Sequence, residues 1–236
     1  MNKHHFQQWI LEENEDYIIL NKPPFLSSLQ DRTDSADVLS LAKVYFPGAQ
    51  VCHRLDKETS GIMVLSKSED AYKNMAIQFE QRQVEKIYHA IIMGTPPVRK
   101  FEINKKLQTS GKDVIVHPDG KPSLTTVEVL EVFKKHTLVL CDLKTGRRHQ
   151  IRVHLSSIGH PVVHDETYGG KPLLLSQIKN RYNLKKWTDE EPLSKRVALH
   201  SFSIKFLGLD GKELRFEAPY PKDFKALLSQ LQKHSA

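Results

Sequence analysis

Residues 53–65 read His53-Arg54-Leu55-Asp56-Lys57-Glu58-Thr59-Ser60-Gly61-Ile62-Met63-Val64-Leu65. Charged and hydroxyl residues run here directly into an apolar stretch, the pattern of a polar loop feeding a strand. A second dense segment, Gly146-Arg147-Arg148-His149-Gln150-Ile151-Arg152-Val153-His154-Leu155, continues through Gly159-His160-Pro161 to Asp165-Glu166-Thr167-Tyr168-Gly169. Ile151, His154 and Leu155 share one side of a helix expected over 147–157, with Gly159 placed to stop it. An aspartate at a strand end and an arginine-rich, partly apolar helix are able to form a buried ion pair. Such a pair would hold Asp56 ionised, the state a nucleophile or general base needs. Pattern alone favours instead a surface salt-bridge network near a turn, since structural ion pairs also perturb acids.

Outward from these segments, short strands and short amphipathic helices interleave with no low-complexity linker, which favours one continuous unit. Asp16 to Asn21 reads as a strand ended by Lys22-Pro23-Pro24, because proline cannot continue a ladder. Val38, Leu41, Ala42 and Tyr45 fall at helical spacing, with Asp34 or Ser35 as the expected cap and Pro47-Gly48 as terminator. Ser68 is the expected cap of a second helix to Phe79, whose buried face carries Ala71, Tyr72, Met75, Ala76 and Phe79. Strands are expected at 87–93, 125–133 and 137–143, the last two as a hairpin. Later strands at 201–206 and 213–217 flank Asp210-Gly211, and Pro221 opens a final helix.

The chain has 236 residues, 39% hydrophobic and 27% charged, enough apolar side chain for a core and unlike a disordered tail. Thirty-five Lys and Arg face 28 Asp and Glu, a net +7. That balance favours polyanionic partners such as nucleic acid, although many unrelated basic proteins share it. The segment 171–196 alone holds seven basic and three acidic residues. It reads as a solvated surface insertion or as an arm touching a phosphate backbone. No signal-peptide core or membrane-length apolar run is present, so a soluble chain is expected. Cys52 and Cys141 form neither a disulfide framework nor a C-x-x-C zinc pattern, which fits a reducing cytoplasm. No phosphate loop, dinucleotide fingerprint, H-E-x-x-H pair or G-x-S-x-G elbow occurs, and no cofactor is indicated. His149, His154, His160 and His164 lack a known ligand spacing, and no metal site is assigned to them.

The two dense segments carry a resemblance over nearly the whole chain. H-R-L-D-x-x-T-S-G at His53–Gly61, K-x-Y-x-A-x-x-x-G at Lys86, Tyr88, Ala90 and Gly94, and G-R-x-H-Q-I-R-V-H-L with the following G-H-P and D-x-x-Y-G resemble the RluA-type family of RNA pseudouridine synthases. Leu199-His200-Ser201 looks like that family's later L-H-A element. Three departures stand out. Lys22-Pro23-Pro24-Phe25 replaces K-P-x-G, Arg148 stands where Thr or Ser is typical, and His164 stands where Gly is usual.

The resemblance implies an α+β pseudouridine synthase fold, a bent, mixed but mainly antiparallel sheet with the active-site cleft across it. It implies a single catalytic domain over residues 9–234, with 171–196 as an insertion and no N-terminal S4-type module. The implied enzyme isomerises uridine in structured transfer or ribosomal RNA, without a cofactor or a metal, as a cytoplasmic monomer. Asp56 is the implied essential acid, as nucleophile at C1′ or as base. Arg152 pairs with it and Tyr88 stacks on the flipped uracil. Arg54, Arg147 and Leu199 are implied substrate contacts, Arg54 by displacing the nucleotide and Leu199 by packing beneath the base. His53 and Thr59 border the substrate and, with Ser60, shape the loop by local hydrogen bonds. Two other classes remain open at this point: a catalytically silent RNA-binding module and a metal-dependent nuclease.

Overall fold

The computed structural model describes residues 6–30, 36–179, 182 and 189–234. It is an α+β chain with four α-helices of seven to twelve residues among the described residues and a mixed, mostly antiparallel sheet. The chain divides into two compact units, residues 1–87 with 200–219 and residues 88–199 with 220–236. Of the expected 171–196 arm, residues 180, 181 and 183–188 lie outside the described residues.

In the first unit, β1 (Ile10–Glu13) pairs antiparallel with β2 (Tyr17–Lys22), and β2 with β4 (Ser60–Ser66). The short β3 (Gln50–Val51) also pairs with β4. β11 (Leu199–Leu207) meets β4 in parallel, with His200 opposite Ser60, and pairs antiparallel with β12 (Glu213–Glu217). Alternate residues of three strands, Tyr17 and Ile19, Ile62 and Val64, Ile204 and Phe206, form one core face. Helix α2 (Glu69–Glu80) lays Ala71 and Met75 on that face, and its start is fixed by Ser68, whose Oγ accepts the Ala71 N–H at 3.2 Å. Ile18, Leu20, Met63 and Leu65 on the other face are buried too, so β2 and β4 read as nearly continuous apolar runs. Helix α1 (Val38–Tyr45) starts one turn later than its spacing suggested. Its cap is Asp37, whose carboxylate accepts the Ser40 N–H at 2.9 Å, and Asp34 and Ser35 lie outside the described residues.

In the second unit the strand order is β5 (Glu85–Met93), β10 (His136–Leu143), β9 (Leu124–Val132), β6 (Lys100–Asn104). β9 and β10 form the expected hairpin, Thr137 opposite Val132. β7 (Leu107–Ser110) and β8 (Asp113–Val116) form a separate hairpin, whose Leu107 and Val114 pack with Val153 of α3 (Gln150–Ser156) and with Tyr168. Helix α4 (Lys222–Lys233) opens after Pro221 and buries Phe224, Leu227 and Leu231. The longest described helices have 12 residues, and none is long and apolar enough to cross a membrane. Burial pushes the Cys52 thiol up to about 12 and Cys141 upward as well, so neither is a reactive thiolate.

Candidate active site

Asp56 stands in the connection between β3 and β4, and the residues on both sides of it are fastened down. Ser28 Oγ donates to the Leu55 carbonyl at 2.8 Å and accepts the Leu55 N–H at 3.0 Å. The Lys22 ammonium, fully buried at the end of β2, donates to the carbonyls of Pro23, Leu26 and Lys57 at 2.9, 2.8 and 3.2 Å. Three carbonyl dipoles replace the water a buried ammonium loses. Beyond the acid, the Thr59 N–H closes a turn onto the Asp56 carbonyl at 3.0 Å, and Thr59 is buried. Arg54 is exposed and Leu55 is buried.

The rest of this motif is structural in a way the residue types explain. His53 Nε2 accepts the Val64 N–H at 3.1 Å, and its ring lies 5.5 Å from that of Phe79. Burial, with the Lys86 charge adding to it, pushes the His53 pKa down to about 3, so the imidazole is neutral and able to accept that bond. His200 Nε2 meets the Ala218 carbonyl at 3.1 Å and must donate there. Its Nδ1 therefore accepts from the Ser60 hydroxyl at 2.9 Å. Gly61 has φ 111, and a Cβ on it would lie 2.1 Å from the Ser201 carbonyl oxygen, which is why the strand crossing needs glycine.

The second unit holds Tyr88, Arg147, Arg152 and Leu199. Tyr88 on β5 and Leu199 at the head of β11 are buried, at 7% and 4% exposure. Arg152 on α3 is buried at 9% and presents a fork to the buried Asp165, Nε to Oδ2 at 2.7 Å and Nη2 to Oδ1 at 2.8 Å. The Tyr168 ring lies 5.0 Å from the guanidinium carbon. The Tyr168 hydroxyl in turn accepts the Val114 N–H at 3.0 Å and bonds His149 Nδ1 at 2.7 Å. The D-x-x-Y-G motif is thus the frame that aims Arg152, a role visible only once the motif is folded against α3.

α3 begins at Gln150 rather than near Arg147, because the Gln150 amide captures the preceding turn. Its Oε1 accepts from Thr145 Oγ1 at 2.8 Å and from the Arg147 N–H at 3.0 Å. Its Nε2 donates to the Leu124 carbonyl and to Thr125 Oγ1, both at 3.0 Å. His149, the residue before the helix, sits in the left-handed region at φ 53. His154 Nε2 donates to the Lys105 carbonyl at 3.1 Å while Nδ1 accepts from Thr125 at 2.9 Å, consistent with burial lowering its pKa. His160 Nδ1 bonds the Met93 carbonyl at 3.0 Å. These histidines hold loops and strands together, and among the described residues no group of three His, Cys, Asp or Glu side chains is placed to hold a metal ion. The Arg147 Nε is buried and makes no hydrogen bond among the described residues.

Arg196 corrects the reading of the charged insertion. It is 1% exposed, with Nε and Nη2 on Asp223 at 2.6 and 3.2 Å and Nη1 on the Val197 and Leu199 carbonyls at 3.1 Å. Burial alone would raise the Asp223 pKa, but the hydrogen bond and charge of Arg196 outweigh it and bring the group below its usual range. Arg196 is an anchor for the start of β11, and it does not belong to a phosphate-facing arm. Position in sequence could not separate it from its six basic neighbours.

The α+β fold with this mixed sheet is that of the RNA pseudouridylate synthase class. Residues 16–157 match the RNA pseudouridylate synthase family model, and the chain belongs to that family. It is 33% identical over 236 residues to the ribosomal large subunit pseudouridine synthase D of Escherichia coli K12, covering 94% of this chain and 70% of that one. The Pasteurella multocida protein of the same name is 32% identical over 238 residues, with the same coverages. Among solved structures, human RNA pseudouridylate synthase domain containing 4 superposes with a TM-score of 0.76 at 25% identity, over 98% of this chain and 95% of that one. The human domain containing 1 protein gives 0.70 at 26% identity, over 90% and 83%.

Proposed function

We propose that this RNA pseudouridine synthase acts on ribosomal RNA of the large subunit, with residues 9–234 working as a single catalytic domain and Asp56 as the essential acid. The substrate class rests on the relatives named for that RNA. The reaction breaks the bond between ribose C1′ and uracil N1, turns the base, and joins C1′ to C5. N1 gains the proton that C5 gives up, and no electrons are exchanged. Such chemistry needs a carboxylate at the sugar, a cation that keeps it ionised, and a surface that retains the freed uracil.

The observation that carries this reading is the frame around Arg152. A guanidinium buried at 9% and clamped by Asp165 stays protonated and is held in one orientation, which suits a partner for a reacting carboxylate. Asp56 supplies that carboxylate, as nucleophile at C1′ or as base. Tyr88 offers its ring to the flipped uracil and Leu199 an apolar floor. Arg54 displaces the nucleotide, and the Arg147 Nε is a donor suited to a phosphate or base oxygen. His53 and Thr59 border the substrate by shaping the loop. The enzyme works as a cytoplasmic monomer.

The deciding experiment maps pseudouridine chemically in large-subunit ribosomal RNA transcribed without modification, after incubation with wild type and with Asp56→Asn. Pseudouridine with the wild type and none with Asp56→Asn, at comparable RNA affinity, is the expected result. Turnover retained by Asp56→Asn removes the proposed mechanism.

A further inference from the structure

Phe25 follows β2 in the turn Lys22-Pro23-Pro24-Phe25 and is 54% exposed. Its φ is 63, and among the described residues it is the only Phe, Tyr or Trp in the left-handed region. A bulky side chain is disfavoured there, and an exposed ring returns little burial for the strain. The turn is rigidly mounted nonetheless. The Lys22 ammonium joins the Pro23 and Leu26 carbonyls to that of Lys57, Ser28 holds Leu55, and the Val38 N–H at the start of α1 donates to the Ser27 carbonyl at 2.9 Å.

The ring therefore rides on a platform bonded to the residues on either side of Asp56. The loop it is bonded to carries the exposed cations Arg54 and Lys57. Apart from Leu29, at 36% exposure, the side chains around Phe25 in sequence are half-buried or buried. That apolar surface is too small for a protein interface. An exposed aromatic ring on a backbone platform hydrogen-bonded to a loop that carries exposed cations instead suits single-stranded nucleic acid, with a base on the ring and phosphates on the cations.

We propose that Phe25 stacks on an unpaired nucleobase next to the target uridine and so holds the RNA strand against the Asp56 loop. This rests on the substrate and acid assigned above, and it adds a specificity residue to them.

The test compares wild type with Phe25→Gly, Phe25→Leu and Phe25→Trp. The readouts are filter-binding Kd for unmodified large-subunit ribosomal RNA, KM and kcat for pseudouridine formation, and thermal unfolding. Phe25→Gly and Phe25→Leu are expected to raise Kd and KM about tenfold, equivalent to about 1.4 kcal/mol, within the range of one base stacked on an aromatic ring. Their kcat stays within about twofold and Tm does not fall, while Phe25→Trp binds as the wild type does. Wild-type Kd in Phe25→Gly or Phe25→Leu overturns the proposal, as does a Phe25→Trp no better than Phe25→Leu, or an affinity loss that tracks a lowered Tm. A wild type that binds this RNA but forms no pseudouridine refutes the function assigned above, and the Kd series then still decides whether the ring binds RNA.

Discussion

Arg152 and Asp165 show how strongly one side chain depends on another. Asp165 is 1% exposed and takes both oxygens to the fork, so neutralising it removes a buried negative charge that faces the Arg152 guanidinium. Asp165→Asn should cost about 3–5 kcal/mol of stability, the usual consequence of breaking such a pair from one side, and is measured by urea unfolding. In the fraction that stays folded, kcat should fall more than KM, because Asn fixes the fork less well; a pure KM effect would contradict the aiming role. Two other residues store strain where a glycine would not. Phe25 has φ 63 and His164 φ 62, the two positions at which the resemblance expects glycine, and the His164 Nδ1 is buried with no hydrogen-bond partner among the described residues. The backbone thus keeps the left-handed shape while the side chain departs from the pattern. Left-handed backbone costs a non-glycine residue roughly 1–2 kcal/mol, partly offset by the greater freedom of glycine in the unfolded chain. His164→Gly should therefore raise the urea midpoint by the equivalent of about 1 kcal/mol at unchanged m-value, and a lowered midpoint would show that the ring packs better than its orphaned nitrogen suggests.

At the scale of elements, Gly61 is where two strands decide each other's place. A Cβ there would lie 2.1 Å from the Ser201 oxygen, so Gly61→Ala must push β11 away from β4, and a loss of about 3 kcal/mol or failure to fold is expected in thermal unfolding of the purified variant. That dependence is not readable from residues 53–61 alone, because the clash comes from a strand about 140 residues away. What is readable has local causes. The hairpin of β9 and β10, the Ser68 cap of α2 and α4 after Pro221 are written in their own side chains, although Tyr72 and Ala76 of the expected α2 face are exposed and Gln78 is buried in their place. β1, β3, β6, β7 and β8 escape because they are short, two to five residues, too few to show a period of their own, and they gain their place from neighbours. β7 and β8 leave one usable signal, Ser110-Gly111-Lys112-Asp113, in which Gly111 at φ 57 makes a two-residue turn. The candidate functional residues divide the same way. Asp56, Tyr88 and Arg152 stand out by motif, whereas Lys22, Ser28, Gln150 and the Asp165–Tyr168 frame act through contacts that only the folded chain displays.

For the molecule as a whole, protons and salt probe different halves of its charge. His53 has a folded pKa near 3 against an ordinary 6.5, so between those values the unfolded chain binds a proton that the folded chain refuses. Its contribution is complete above about pH 6.5 and is lost as pH falls, at up to about 1.4 kcal/mol per unit. The lowered values of His136 and His154 act in the same direction, and so does Asp223, whose contribution fades as pH drops through its depressed folded pKa. Stability should be flat from about pH 7 to 8 and decline below about 6.5, and His53→Gln, though less stable at about pH 7.5, should decline less steeply; parallel slopes would exclude His53 as a source. Salt addresses the surface charge instead. With Arg196 buried against Asp223, six of the seven basic residues of the 171–196 segment remain as candidates for RNA. Neutralising Lys179, Arg181, Lys185 and Lys186 to Gln leaves the Arg196 anchor intact, which deletion of the whole segment would not. If those four side chains bind phosphate, RNA affinity falls and the slope of log K against log salt becomes shallower by about 0.7 for each phosphate no longer neutralised. Unchanged affinity and slope across a salt titration would make the segment a solvated insertion, and would shift the search for the polyanion-binding surface to Arg54, Lys57 and the Phe25 turn.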